Sequence, residues 1–80
     1  MKLNLYLATM NHYRSKAQEA LTALELFLND PTAVAGHTEY VEEIERWTKV
    51  LSESERCLET LNKYFGTQAN AMQNPPAEKK

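Results

Sequence analysis

Apolar side chains recur along this chain in alternating steps of three and four, in two separate stretches. The first carries Leu3, Tyr6, Met10, Tyr13, Ala17, Ala20, Leu24 and Phe27. The second carries Tyr40, Ile44, Trp47, Leu51, Leu58, Leu61 and Phe65, with the small polar Ser54 in step among them. Such spacing is the seam of a helix packed lengthwise against another helix. Folded back on each other, the seams match in antiparallel register. Phe27 falls beside Tyr40, Leu24 beside Ile44, Ala20 beside Trp47 and Ala17 beside Leu51. Tyr13 then falls beside Ser54, Met10 beside Leu58, Tyr6 beside Leu61 and Leu3 beside Phe65. Bulky Trp47 meets small Ala20, and Tyr13 meets the gap at Ser54, as filling a core at constant density requires. The pattern predicts an all-α fold, an antiparallel two-helix hairpin of coiled-coil type.

The punctuation sets the expected boundaries. Helix one spans about residues 3–29, a stretch without Gly or Pro, and Pro31 disfavours helix at the residue before it. Residues 30–37 form the link, where Asp30, Pro31 and Gly36 suit a short capped turn. Helix two spans about residues 38–65, with Thr38 as its cap and Glu39, Glu42 and Glu43 near its positive end. Gly66 supplies a left-handed stop. Residues 67–80 lack an apolar period and contain Pro75-Pro76, so they are expected to form a flexible tail after a hairpin of residues 1–66.

The flanks of the seams extend the prediction to association. Leu7, Leu21 and Leu28 lie along one flank of the first seam and face Asn62, Thr48 and Val41. Val50, Cys57 and Tyr64 lie along one flank of the second and face Thr9, Lys16 and their neighbours. These two apolar margins fall on opposite edges, and a lone hairpin leaves both in water. A chain of 80 residues is near the size at which a single core is marginal. Pairing of two hairpins into a homodimeric four-helix bundle, covering both margins, is therefore expected. The six margin residues are its candidate interface.

Charge narrows the choice of partner. Nine Lys and Arg against eleven Asp and Glu give a net charge of −2, a weak field toward nucleic acid or an anionic membrane. Arg46, Lys49, Arg56 and Lys63 form a stripe on helix two, but Glu42, Glu45, Glu53 and Glu59 interleave with it. Glu42–Arg46, Glu45–Lys49 and Glu59–Lys63 have the favourable four-residue spacing of a solvated face. Tyr6, Tyr13, Tyr40, Trp47, Tyr64 and Phe65 belong to the seam or its flank, which leaves few aromatics for stacking on bases. The outer face of helix one differs. Asn4, Leu5, Asn11, His12, Ser15, Gln18, Thr22 and Leu26 carry little charge, as protein contact surfaces do. Leu5, His12 and Leu26 are the candidate partner contacts there.

In shape the predicted hairpin resembles the small plasmid copy-number regulators that bind paired RNA loops, the hairpin chaperones of secretion systems, and small phage proteins that disable host machinery. The first resemblance implies a regulator of structured RNA, which is the alternative reading. The others imply a stoichiometric protein binder.

Reactive chemistry finds little support in the residues. Cys57, the single cysteine, sits among packing residues, and the register brings neither His12 nor His37 beside it as a base. No Glu-x-x-His and no His pair three or four apart occurs. With Gly36 and Gly66 as the only glycines, there is no phosphate-cradling loop. No catalytic, cofactor or metal residue is expected. One cysteine fits a reducing cytoplasm. No run reaches the ~18 apolar residues of a membrane span. Asn4, Thr9, Asn11 and His12 interrupt the leucine-rich opening, so a secretion signal is not expected. The expected function is non-catalytic protein binding in the cytoplasm, as an inhibitor, adaptor or chaperone.

Overall fold

The computed structural model describes residues 1–29 and 37–73, and of residues 37 and 38 the backbone alone. Two helices make up this part of the chain: α1, Leu3–Asn29, and α2, His37–Gln73. The amides of Leu5 and Tyr6 both donate to the Lys2 carbonyl at 3.1 Å, so the first turn of α1 closes on Lys2. The expected link, with Asp30, Pro31 and Gly36, and the last seven residues of the expected tail lie outside the described residues.

α1 and α2 pack antiparallel as a hairpin, in the register that the two seams predict. The Phe27 and Tyr40 rings meet edge to face, with centroids 5.2 Å apart and planes at 82°, a favourable aromatic geometry. Ala17 and Leu51 line one groove, Tyr13 and Ser54 another, and Tyr6 and Leu61 a third. Met10, Ala20, Leu24 and Ser54 are buried, and the other seam residues are half-buried save Phe65. Among the described residues no buried side-chain nitrogen or oxygen lacks a hydrogen-bond partner, so burial of Ser54 leaves no orphaned hydroxyl. No large side chain among them is fully buried. The core is one seam deep.

Helix two is longer than the sequence pattern indicates. Gly66 is not its stop, because α2 continues through it to Gln73. Residues 67–73 include Ala69, Ala71, Met72 and Gln73, all good helix formers. Ala69 is buried, at 3% exposure. The next restriction is Pro75, which disfavours helix at residue 74. With Leu3 level with Phe65 in the register, the last two turns of α2 overhang the start of α1 by about 12 Å, at ~1.5 Å per residue.

A glycine inside a helix costs stability relative to alanine. A Cβ at Gly66 would meet Oδ1 of Asn62, with Cγ at 3.0 Å, and this exposed side chain can swing into solvent. Gly66→Ala should therefore raise helix content and stabilise this segment by about 0.5–1 kcal/mol. Circular dichroism and thermal melting read the effect, and a loss of stability would restore the left-handed stop.

Candidate functional site

Each edge of the hairpin carries its own set of side chains. On the first, Arg14, Leu21, Leu51, Glu55 and Leu58 line a shared groove. Leu21 is 42% exposed, Leu28 65% and Val41 43%, while Leu7 is half-buried. These residues sit where seven-residue spacing returns to the same flank of the seam. The hairpin brings the two helices' contributions together but does not cover them.

On the opposite edge, Thr9, Tyr13, Arg56, Cys57, Thr60 and Leu61 line a cavity of about 380 Å³. It adjoins a second groove, where His12, Lys16, Val50 and Glu53 join Tyr13 and Cys57. Val50 and Cys57 are half-buried, and Tyr64 is exposed with the Lys63 ammonium 5.3 Å from its ring centre. A hydrogen bond with the Cys57 side chain, then the charge of Cys57, desolvation and the charge of Glu53 hold the Tyr13 phenol above its ordinary pKa of 10.0. Hydrogen bonding and a nearby anion both favour the protonated phenol.

His12 borders this edge. The seam register sets it on an outer face, away from Cys57. It is exposed, yet it lines the same groove as Cys57, with its ring edge-on to Tyr13 at 5.4 Å. Leu5 lies in a groove with Tyr6, Thr9, Leu61 and Phe65. Leu26 lies in one with Ala23, Phe27, Tyr40 and Trp47. Leu5, His12 and Leu26, seven and fourteen residues apart, thus form the rim of the Cys57 edge. The candidate contact residues therefore group on two edges of the hairpin, where the sequence pattern sets them on three surfaces.

The cationic stripe of α2 is partly engaged. Arg46 donates to Glu43 at 2.7 Å, a partner three residues away where Glu42 was expected, and its guanidinium stands 4.6 Å from the Trp47 ring centre. Among the described residues no group of three or more His, Cys, Asp or Glu converges on a point that could hold a metal ion. No helix among them is long and apolar enough to cross a membrane.

The chain matches no protein-family model, no curated protein and no solved structure. Its functional reading therefore rests on these two edges.

Proposed function

We propose that the protein is a non-catalytic interaction module, which self-associates as a dimer of hairpins and binds another protein stoichiometrically, as an inhibitor, adaptor or chaperone. One observation carries this reading. Leu5, Leu21, Leu26, Leu28, Val41 and Tyr64 stand 42–68% exposed along the two edges, on a core that fully buries no large side chain. Several large apolar side chains left exposed on so thin a core point to surface that a partner covers.

The placement of the margins divides the labour. A two-fold dimer uses the same patch on both copies, so with margins on opposite edges it covers one and leaves the other. A single dimer does not cover both, contrary to the expectation from the sequence pattern. The uncovered edge is then available to a different protein. Leu5, His12 and Leu26, weakly charged and exposed, mark the Cys57 edge as that surface. The alternative, a regulator of structured RNA, needs a free cationic face, and Arg46 is held by Glu43 and Trp47 within a stripe interleaved with acids.

Changing Leu5, His12 and Leu26 together to Ser, Glu and Ser is expected to leave helicity and dimerisation unchanged and to abolish partner capture. All three side chains are exposed, and exposed substitutions away from caps and cores usually shift stability by only about 0.5 kcal/mol each. Affinity capture with mass spectrometry, wild type against the triple variant, is the measurement. An unchanged set of captured proteins rules out this edge as the docking face.

A further inference from the structure

We infer that a second copy of this chain docks on the Leu21 edge with its two-fold axis parallel to the helices, so that Arg14 of each copy meets Glu55 of the other. The inference rests on the dimeric reading above and assigns its surface and its symmetry.

Along this edge α1 presents Leu7, Arg14, Leu21 and Leu28, and α2 presents Val41, Thr48, Glu55 and Asn62, each series recurring every seven residues. The antiparallel register stacks them in four layers. Leu28 lies level with Val41, Leu21 with Thr48, Arg14 with Glu55 and Leu7 with Asn62. That Arg14, Leu21 and Glu55 line one groove agrees with this layering.

A two-fold axis along the helices sets each layer against itself and α1 of one copy beside α2 of the other. Leu28 then meets Val41, Leu21 meets Thr48, and the Arg14–Glu55 layer closes as two reciprocal charge-assisted pairs. An axis perpendicular to the helices sets α1 against α1 instead. Centred on the charged layer, it places Arg14 against Arg14 and Glu55 against Glu55. Centred elsewhere, it sets those charges against uncharged side chains. Thr48 raises no obstacle to being covered, since its hydroxyl already donates to the Ile44 carbonyl at 2.6 Å and leaves no donor unpaired.

The Cys57 edge lacks this self-complementarity. In the same register Lys16 lies level with Val50, and Glu43 with Ala23. Self-contact along that edge would press charges onto apolar groups, an unfavourable burial. Charge complementarity therefore gives the Leu21 edge to the second copy.

The test uses the whole chain as wild type, as Arg14→Glu, as Glu55→Arg, and as an equimolar mixture of the two variants. Sedimentation and native mass spectrometry read the species formed. Wild type is expected to dimerise, and each variant alone should dimerise on the order of tenfold or more weakly, from like charges placed across the interface twice. The mixture should recover dimer as heterodimer, which pairs two acids on one chain with two bases on the other. Positions 14 and 55 bear like charges within each variant chain, so this recovery has no source inside a single hairpin. A variant that is unfolded alone still gives an answer, because helicity regained on mixing reports the same pairing. Wild-type dimer with no preference for the heterodimer in the mixture overturns the assigned edge and axis and leaves the dimeric reading standing. A monomeric wild type overturns both.

Discussion

Ala20→Leu is expected to lower the melting temperature by about 10–20 °C, corresponding to roughly 2–3 kcal/mol in a domain of this size. Ala20 has no exposed surface at all, and the register sets the indole of Trp47 across the seam from it. Three added carbon atoms have no room there without moving the indole or spreading the helices. Overpacking of this kind costs about 1–3 kcal/mol in thick cores. Here the core is one seam deep, so a displaced Trp47 moves toward water and the upper end of that range applies. Leucine and alanine differ little in helix propensity, which removes local helix preference as an explanation. Ala8, exposed on the same helix, supplies the control, and Ala8→Leu should melt close to wild type. Equal melting temperatures for the two variants would show that the seam is loosely packed at Ala20 and that its full burial is not tight contact.

The hairpin was legible because its register is specified many times over. Each seam pair, from Phe27–Tyr40 to Tyr6–Leu61, repeats the same instruction, and a shift of one residue would put Trp47 and Tyr13 against larger neighbours. The end of α2 was not legible in this way. Gly66 carries two meanings in a sequence, a left-handed stop or an absent side chain inside a helix, and only context separates them. That context is the burial of Ala69, which lies off the three-four steps of the seam. A straight helix drifts by ~20° per heptad against a seven-residue repeat. The contact line therefore moves off the steps that lead to Phe65 and toward Gly66 and Ala69. The half-burial of Gly66 and the exposure of Phe65 fit this drift.

The exposed apolar edges were legible in composition and less so in grouping. The apolar margins follow directly from the flanks; of their six residues Leu21, Leu28 and Tyr64 are exposed, while Leu7, Val50 and Cys57 are half-buried. The seam pattern alone sets His12 apart from Cys57, because His12 lies outside the seam. Yet a residue outside the seam can still stand at its rim, and on α1 the rim of the Cys57 edge includes Leu5, His12 and Leu26. Arg14 is hidden in the sequence for a different reason. It is the one charged member of the otherwise apolar series Leu7, Arg14, Leu21, Leu28. The signal that retrieves it is Glu55, the one charged member of the facing series.

Leu21→Glu is expected to weaken dimerisation at least about a hundredfold, while Lys49→Glu leaves it unchanged. Leu21 is 42% exposed in the hairpin, so a partner has under half of its surface left to cover. Full burial of a leucine is worth ~1.5–3 kcal/mol, and the remaining share over two copies comes to roughly 1–2.5 kcal/mol. Loss of that contact alone weakens the dimer by about fivefold to seventyfold. The carboxylate adds to it, because a second copy would strip its water with no cation placed to receive it, and this happens twice by symmetry. Lys49 lies on the outer face of α2 and is exposed, so the same charge there meets only solvent. Since Leu21 contributes little to the seam, the effect should separate from that of Ala20→Leu. Wild type should melt at temperatures that rise with protein concentration, as a dimer must by mass action, and Leu21→Glu should lose this dependence over the same range. A Leu21→Glu protein that sediments as a dimer with wild-type affinity would remove the Leu21 edge from consideration and leave self-association, where it occurs, to the Cys57 edge.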